Sequence, residues 1–359
     1  MKFFVSTGEV SGDLHLSYLV NAIRKIDPSI EFCGAVGEHS RNAGVTMVQD
    51  IRELAVMGFF EIIRKISFFK KKIKEYLDYI EKNNIDRVIL VDYGGFNLKL
   101  LTELKAKMPH IKVYYYIPPK IWVWGRKRIK KIVLADEILV IFPWEVEFYK
   151  GYGIDVVYYG NPFADIYQRV AHLGDKILLL PGSRRQEIMS IMPVFHDIIT
   201  RLPEEKFVIK LSSPEHTKWF DVQEFAMDNV ELVTSGDLTD YIGQCKIGLC
   251  TSGTVTLEVT LLGLPAIILY KTNKFNEIIV KYLLKVKMIS LPNITLGKIA
   301  FPEMLQKECN ADDIIAQMDA MLGDNQRKLE ITNALDHVRQ LLQPASTNVV
   351  EQYARHIIQ

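Results

Sequence analysis

Short runs of consecutive apolar residues alternate with longer stretches of helical spacing along nearly the whole chain. In the first half the apolar runs are Phe3–Val5, Glu31–Ala35, Thr46–Val48, Arg87–Val91, Val113–Ile117, Glu137–Ile141 and Val156–Tyr159. Helical periodicity fills the gaps, as in Leu14–Ile26 and Leu98–Met108. The second half repeats the rhythm with Lys176–Leu180, Phe207–Leu211, Val230–Val233, Ile247–Cys250 and Ala266–Leu269. Runs apolar on both faces suit strands covered on both sides, so the alternation predicts parallel sheets built from βαβ units. Gly160-Asn161-Pro162, with the polar stretch to Asp175, marks a boundary. From Ala311 the pattern is helical, breaks at Gln343-Pro344, and resumes over Thr347–Ile358.

Punctuation within this pattern carries the candidate chemistry. Strand Lys176–Leu180 stops at Pro181-Gly182, and a helix-compatible segment starts at Ser183. The amides of Gly182, Ser183 and Arg184 then lie at a helix N-terminus, which attracts anions, and Arg184 adds a fork suited to phosphate. Phe3–Val5 runs into a similar turn, Ser6-Thr7-Gly8-Glu9-Val10-Ser11-Gly12-Asp13. Two such units, about half the chain apart, predict an α/β fold of two Rossmann-like domains facing a cleft. The domain limits are 1–162, 163–343 and a last helix, 344–359. Thr251-Ser252-Gly253-Thr254 follows another strand, and its small residues let amides approach a phosphate. Glu258, one turn further, could accept from ribose hydroxyls. An ordinary N-cap would read the same way. Asp92 ends strand Arg87–Val91, where an acid is placed to act as a general base or simply to cap the next helix. Glu9 is a base, a substrate ligand or a loop brace.

Composition narrows the classes. A chain of 359 residues implies more than one core. Net charge is +1, which does not indicate a globally basic nucleic-acid binder. The four cysteines form no CxxC pair and read as free thiols in a reducing compartment. The N-terminus lacks the apolar run of a signal peptide, and no apolar stretch reaches transmembrane length. No D-x-D occurs, the histidines form no spaced ligand set, and Gly8–Gly12 does not fit G-x-G-x-x-G. No cofactor and no metal are expected.

Two segments remain. Trp122-Val123-Trp124-Gly125-Arg126-Lys127-Arg128 could stack on a sugar and meet a phosphate, or form a solvated basic helix with tryptophans in the core. Between Gly58 and Lys74, helical geometry puts Ile62, Ile66, Phe69, Ile73 and Tyr76 on one stripe facing the core. Phe60 and Phe68 then fall roughly 160° and 120° away, among cations. That pattern suits a membrane-surface element, with Ile63 in the same segment, or a second packing partner.

Taken in order, Gly8-Glu9-Val10-Ser11-Gly12-Asp13, Glu53-Leu54-Ala55-Val56-Met57-Gly58, Leu180-Pro181-Gly182-Ser183-Arg184, Thr251-Ser252-Gly253-Thr254 and Ser290-Leu291-Pro292-Asn293 make the chain resemble the lipid-A-disaccharide synthases. The resemblance covers nearly the whole chain. It implies a two-domain glycosyltransferase fold of the B type. It also implies transfer of 2,3-diacylglucosamine from its UDP conjugate to 2,3-diacylglucosamine 1-phosphate. The products would be a β(1→6) disaccharide 1-phosphate of lipid A and UDP, formed with inversion and without metal. On the same basis Asp92 is the base, with Glu9 beside it. The UDP-sugar side is Gly182, Ser183, Arg184, Ser252, Gly253, Thr254, Glu258 and Asn293. The acceptor side is Ser11, Asn97 and Trp122. The last helix would cross back to the first domain or exchange between subunits of a dimer. The enzyme would be cytoplasmic, peripheral on the inner membrane and in contact with an anionic surface through Phe60, Ile63 and Phe68, and would bind no nucleic acid. Two departures stand out. The family's proline and second acid after the strand-end aspartate are Gly94 and Gly95 here, and a frequent histidine is Asn161. Other classes that fit the residues are a UDP-N-acetylglucosamine epimerase, another UDP-sugar transferase, and a non-catalytic nucleotide- or RNA-binding protein.

Overall fold

The computed structural model describes residues 1–55, 62–122, 125–172, 174–271, 288–343 and 348–359, without the side chains of 54–55 and 62–66. Phe60, Val123, Trp124, Pro344 and the side chain of Ile63 lie outside the described residues. The chain divides into two units, Met1–Asp165 with Gln343–Gln359, and Ile166–Leu342.

Each unit is built on one six-stranded sheet in which every pairing is parallel. The first holds β1 (Lys2–Ser6), β2 (Glu31–Val36), β3 (Thr46–Asp50), β4 (Arg87–Val91), β5 (Lys112–Tyr116) and β6 (Glu137–Leu139), in the order β3-β2-β1-β4-β5-β6. The second holds β7 (Lys176–Leu180), β8 (Phe207–Lys210), β9 (Val230–Val233), β10 (Cys245–Thr251), β11 (Ala266–Tyr270) and β12 (Glu303–Leu305), in the order β12-β11-β10-β7-β8-β9. Counted within each unit the two orders are the same. The winding reverses between β1 and β4, and again between β7 and β10, which is where doubly wound sheets open a crevice at the strand ends. The expected pair of Rossmann-like sheets is therefore present. The apolar runs are apolar because both faces are covered: Phe3, Phe4, Val5 and Val88–Val91 are fully buried.

One strand reading fails and one strand goes unread. Val156–Tyr159 forms only a single bridge, Leu139 to Val157. Its next amide, on Tyr159, goes to the Tyr353 hydroxyl at 3.1 Å instead of a sheet neighbour. Short β12, half-buried with a glutamate at its start, carries no apolar run that could reveal it.

In the first unit, α1 (Val10–Ile26) follows β1, α2 (Glu38–Asn42) follows β2, α3 (Ile51–Ala55) follows β3, α4 (Ile62–Lys82) precedes β4, and α5 (Gly94–Lys107) follows it. On α4, Phe69, Ile73 and Tyr76 are buried as the helical stripe requires. Phe68 corrects the expectation of a wet face. It is half-buried against the same core, its ring 6.3 Å from that of Phe69 and capped by the Lys72 ammonium at 5.8 Å.

Helix Val349–Ile358 completes the first unit by packing on α1, burying Val349, Val350, Tyr353, Ala354 and Ile357. β5 prepares its seat. Tyr114, Tyr115 and Tyr116 are all fully buried and alternate across the sheet. Tyr114 donates its hydroxyl to the Ile357 carbonyl at 2.9 Å, and Tyr116 packs on Tyr353, ring centres 5.4 Å apart. Tyr115 points the other way, into the core with α4 and α5. All four cysteines are free thiols. Among the described residues no helix is long and apolar enough to cross a membrane.

Candidate functional site

In the first unit the candidate residues stand at the β1 and β4 ends. Ser6 closes β1, and Gly8 continues beneath the Tyr93 ring: a Cβ there would fall 2.1 Å from it, so no side chain fits. Glu9 is the exposed N-terminal cap residue of α1, and its charge adds to burial in raising the Tyr93 phenol. Ser11 is half-buried in the first turn of α1. Asp13 is a brace: its buried carboxylate accepts the amides of Gly37 at 2.8 Å, His39 at 2.9 Å and Ser40 at 3.4 Å.

Asp92 follows β4 in the left-handed region, φ 44°, and Tyr93 repeats it at φ 46°. Opposite, Ile117 at the end of β5 has φ 54°. Side chains rarely adopt such backbone, and a β-branched one least of all. Each residue stores strain of about 1–3 kcal/mol, which clusters at functional sites. The Asp92 amide donates to the Ile117 carbonyl at 3.0 Å. Asp92 is not the cap of α5. Tyr93 holds that position, and its carbonyl takes the amides of Phe96 and Asn97. Asp92 is half-exposed at the strand end.

Asn97 must be reassigned from the acceptor side to the scaffold. It is fully buried. Its amide nitrogen donates to the carbonyls of Ser6 and Val91 at 3.1 Å and of Asp92 at 3.2 Å, while its oxygen takes the Ser6 hydroxyl at 2.8 Å. Tyr115, unread in the sequence because a tyrosine in a buried run looks like core, donates its hydroxyl to the Asp92 carbonyl at 2.8 Å. Gly94 is pressed by Pro119: a Cβ would meet the proline at 2.6 Å and the Arg128 guanidinium at 3.4 Å. A proline cannot enter there, whereas open space over Gly95 would admit a side chain. Trp122 sits half-buried in an aromatic group, edge-on to Trp144 at 5.9 Å, with Trp144 stacked on Phe142 at 4.3 Å. Beneath them the buried carboxyl of Glu145, held by the amides of Ile141 and Phe142, is pushed up to about 7 by desolvation.

In the second unit the candidate residues stand at the β7 and β10 ends. Gly182 has φ +101°, and a Cβ there would come within 2.7 Å of the Glu187 carboxylate. The amides of Ser183 and Arg184, expected to face a phosphate, donate to that carboxylate at 3.3 and 3.2 Å. The Arg184 guanidinium, largely exposed, pairs with its other oxygen at 3.2 Å. An internal anion thus occupies the position read as an anion site. The signal was in the sequence: a carboxylate three residues after a helix cap is a capping box. Ser252 donates its hydroxyl to the Ile289 carbonyl at 3.2 Å, and exposed Gly253 leads into helix Thr254–Leu262, where Thr254 is half-buried. The partly buried carboxyl of Glu258 is pushed up to about 7 by desolvation, against a hydrogen bond from Tyr167. Asn293 is reassigned from nucleotide ligand to brace. Fully buried, it donates to Phe301 O and Glu303 at 2.8 Å and accepts the amides of Ala300 and Phe301.

A family described as lipid-A-disaccharide synthetase matches residues 3–357. The chain belongs to the lipid-A-disaccharide synthase family. A synthase of Geobacter metallireducens is 34% identical, covering 95% of this chain and 93% of its own, and one of Syntrophus aciditrophicus is 33% identical over 94% and 92%. Among solved structures, the UDP-GlcNAc 2-epimerase of Methanocaldococcus jannaschii in complex with UDP-GlcNAc and UDP superposes with a TM-score of 0.64 at 12% identity, covering 100% and 99% of the two chains. The S. aureus MnaA–UDP structure gives 0.63 at 14%, covering 99% and 95%. At such identities these two establish the shared B-type fold alone. The synthase activity is the transfer of 2,3-diacylglucosamine from its UDP conjugate to 2,3-diacylglucosamine 1-phosphate, yielding the lipid A disaccharide 1-phosphate and UDP.

Proposed function

We propose that the synthase reaction runs here as a direct displacement with inversion, the first unit holding the acceptor and the second the UDP-sugar. Asp92 takes the proton of the attacking acceptor hydroxyl, and Glu9, on the neighbouring loop, is the second candidate for that role. The observation that carries the assignment is the left-handed backbone of Asp92 at the winding reversal of the first sheet. As the anomeric bond breaks, charge grows on the diphosphate. Arg184 is the cation assigned to it, swinging from Glu187, with the amides of Gly253 and Thr254 at the helix start adding their dipoles, since the Ser252 amide is spent on the Leu269 carbonyl at 2.8 Å. Glu258 serves the nucleotide sugar, and Ser11 and Trp122 serve the acceptor. Lipid substrates and the lysine-rich start of α4 suit an anionic membrane surface on the cytoplasmic side, with Phe60 and Ile63 as the apolar contacts.

Incubating the purified protein with UDP-2,3-diacylglucosamine and 2,3-diacylglucosamine 1-phosphate should give disaccharide 1-phosphate and UDP by mass spectrometry. Conversion of UDP-N-acetylglucosamine to its epimer, with no disaccharide formed, would replace this reading by that of the epimerases. The absence of a D-x-D motif predicts that turnover survives EDTA; loss restored by Mg²⁺ would make the reaction metal-dependent.

A further inference from the structure

We propose that Tyr115 is a positioning residue for the glycosyl transfer, its hydroxyl holding the strand-end backbone that aims the Asp92 carboxylate. The inference rests on Asp92 as the base. Asp92, Tyr93 and Ile117 share left-handed backbone, and all three follow the carboxyl ends of the neighbouring strands β4 and β5. β4 and β5 pair in register through Val91 and Tyr116, so Asp92 and Ile117 are the next opposed positions. Left to itself a strand end of this composition would relax to extended or right-handed backbone, and the carboxylate would turn with it.

Two side chains oppose that relaxation by gripping the same atom. The Asp92 carbonyl oxygen accepts the Tyr115 hydroxyl at 2.8 Å and the Asn97 amide at 3.2 Å, using both lone pairs. Each grip is anchored behind. Asn97 is fixed to β1 through Ser6 and to Val91. Tyr115 is fixed because its ring is fully buried in the core with Phe96 and Phe69. A third tie, from the Asp92 amide to the Ile117 carbonyl, makes the two strained strand ends hold each other. The hydroxyl donates to the backbone oxygen of Asp92, so its action on the reaction is through Asp92.

Tyr115→Phe removes one oxygen and leaves the ring in place. In the disaccharide assay it should lower kcat about 10- to 100-fold with KM for both substrates within about twofold, because binding does not use the strained carbonyl. In an Asp92→Asn background the same change should cost less than about threefold, since the group it positions is already lost. Circular dichroism fixes the folded fraction of each variant. If the phenylalanine variant is unfolded at assay temperature, Asn97→Ala, which removes the other donor to the same carbonyl, carries the same expectation. An Asp92→Asn enzyme with ordinary turnover would remove the base assignment and this inference with it. An inactive Asp92→Asn beside a fully active Tyr115→Phe would overturn the positioning role alone. So would an equal loss from Tyr115→Phe in both backgrounds, which would mark the hydroxyl as structural only.

Discussion

Replacing Asp92 by asparagine keeps the side chain's shape and removes its capacity to take a proton. Turnover of Asp92→Asn should fall at least ~100-fold with the melting temperature held, read by product mass spectrometry and thermal denaturation. Arg184→Ala should weaken UDP binding roughly 10- to 100-fold by calorimetry, the scale of a charge-assisted hydrogen bond. Unchanged affinity would reduce the Gly182–Arg184 turn to a helix cap served by Glu187. Both residues stand out in the chain as candidates because strand, turn and helix start follow one another there. Asn97 and Asn293 were misread for a definite reason. A polar residue at the start of a helix looks the same whether it faces a ligand or carbonyls of its own fold, and both are sealed with every polar atom engaged. Tyr115 escaped because its partner is a backbone oxygen 23 residues away on another strand.

At the scale of elements, β5 and helix Val349–Ile358 show what the pattern could and could not give. Strand geometry puts Tyr114 and Tyr116 on one face, but the run Val113–Ile117 does not tell what covers it. The cover comes from more than two hundred residues later, as the Tyr114 bond to Ile357 records. The Tyr353 hydroxyl ties that helix to the Gly160 carbonyl at 3.0 Å, to Val140 O, and to the Tyr159 amide. Tyr353→Phe leaves those buried backbone groups short of a partner and should cost about 1–3 kcal/mol of stability in urea titration. A loss below about 0.5 kcal/mol would mean that water replaces the hydroxyl. The same bond explains why Val156–Tyr159 reads as a strand and is not one: its apolar residues are half-buried, but the Tyr159 amide is spent on a side chain.

For the molecule as a whole, the regular alternation of runs conveyed the two parallel sheets, but not the strand order that both repeat. Its response to pH depends on carboxyls that the sequence does not distinguish from surface acids. Glu145 rises from an ordinary 4.5 to about 7. Between those values the unfolded chain has lost a proton that the folded one keeps. Stability from this group is therefore greatest below pH 4.5 and is lost as the pH climbs toward 7, at up to about 1.4 kcal/mol per pH unit. Melting curves should show that slope and Glu145→Gln should flatten it; an identical slope in the variant would assign it elsewhere, Glu258 first. Finally, the first unit is assembled from both ends of the described chain, residues 1–165 and 343–359. On the ribosome this reverses the usual order of maturation. The second unit has its whole sequence available once Leu342 has emerged. The face of β5 that carries Tyr114 and Tyr116 stays bare until Ile358 is free. A nascent chain stalled between those points would expose buried tyrosines to the cell's proteases and chaperones, so emergence of helix Val349–Ile358 is itself the step that closes the first unit.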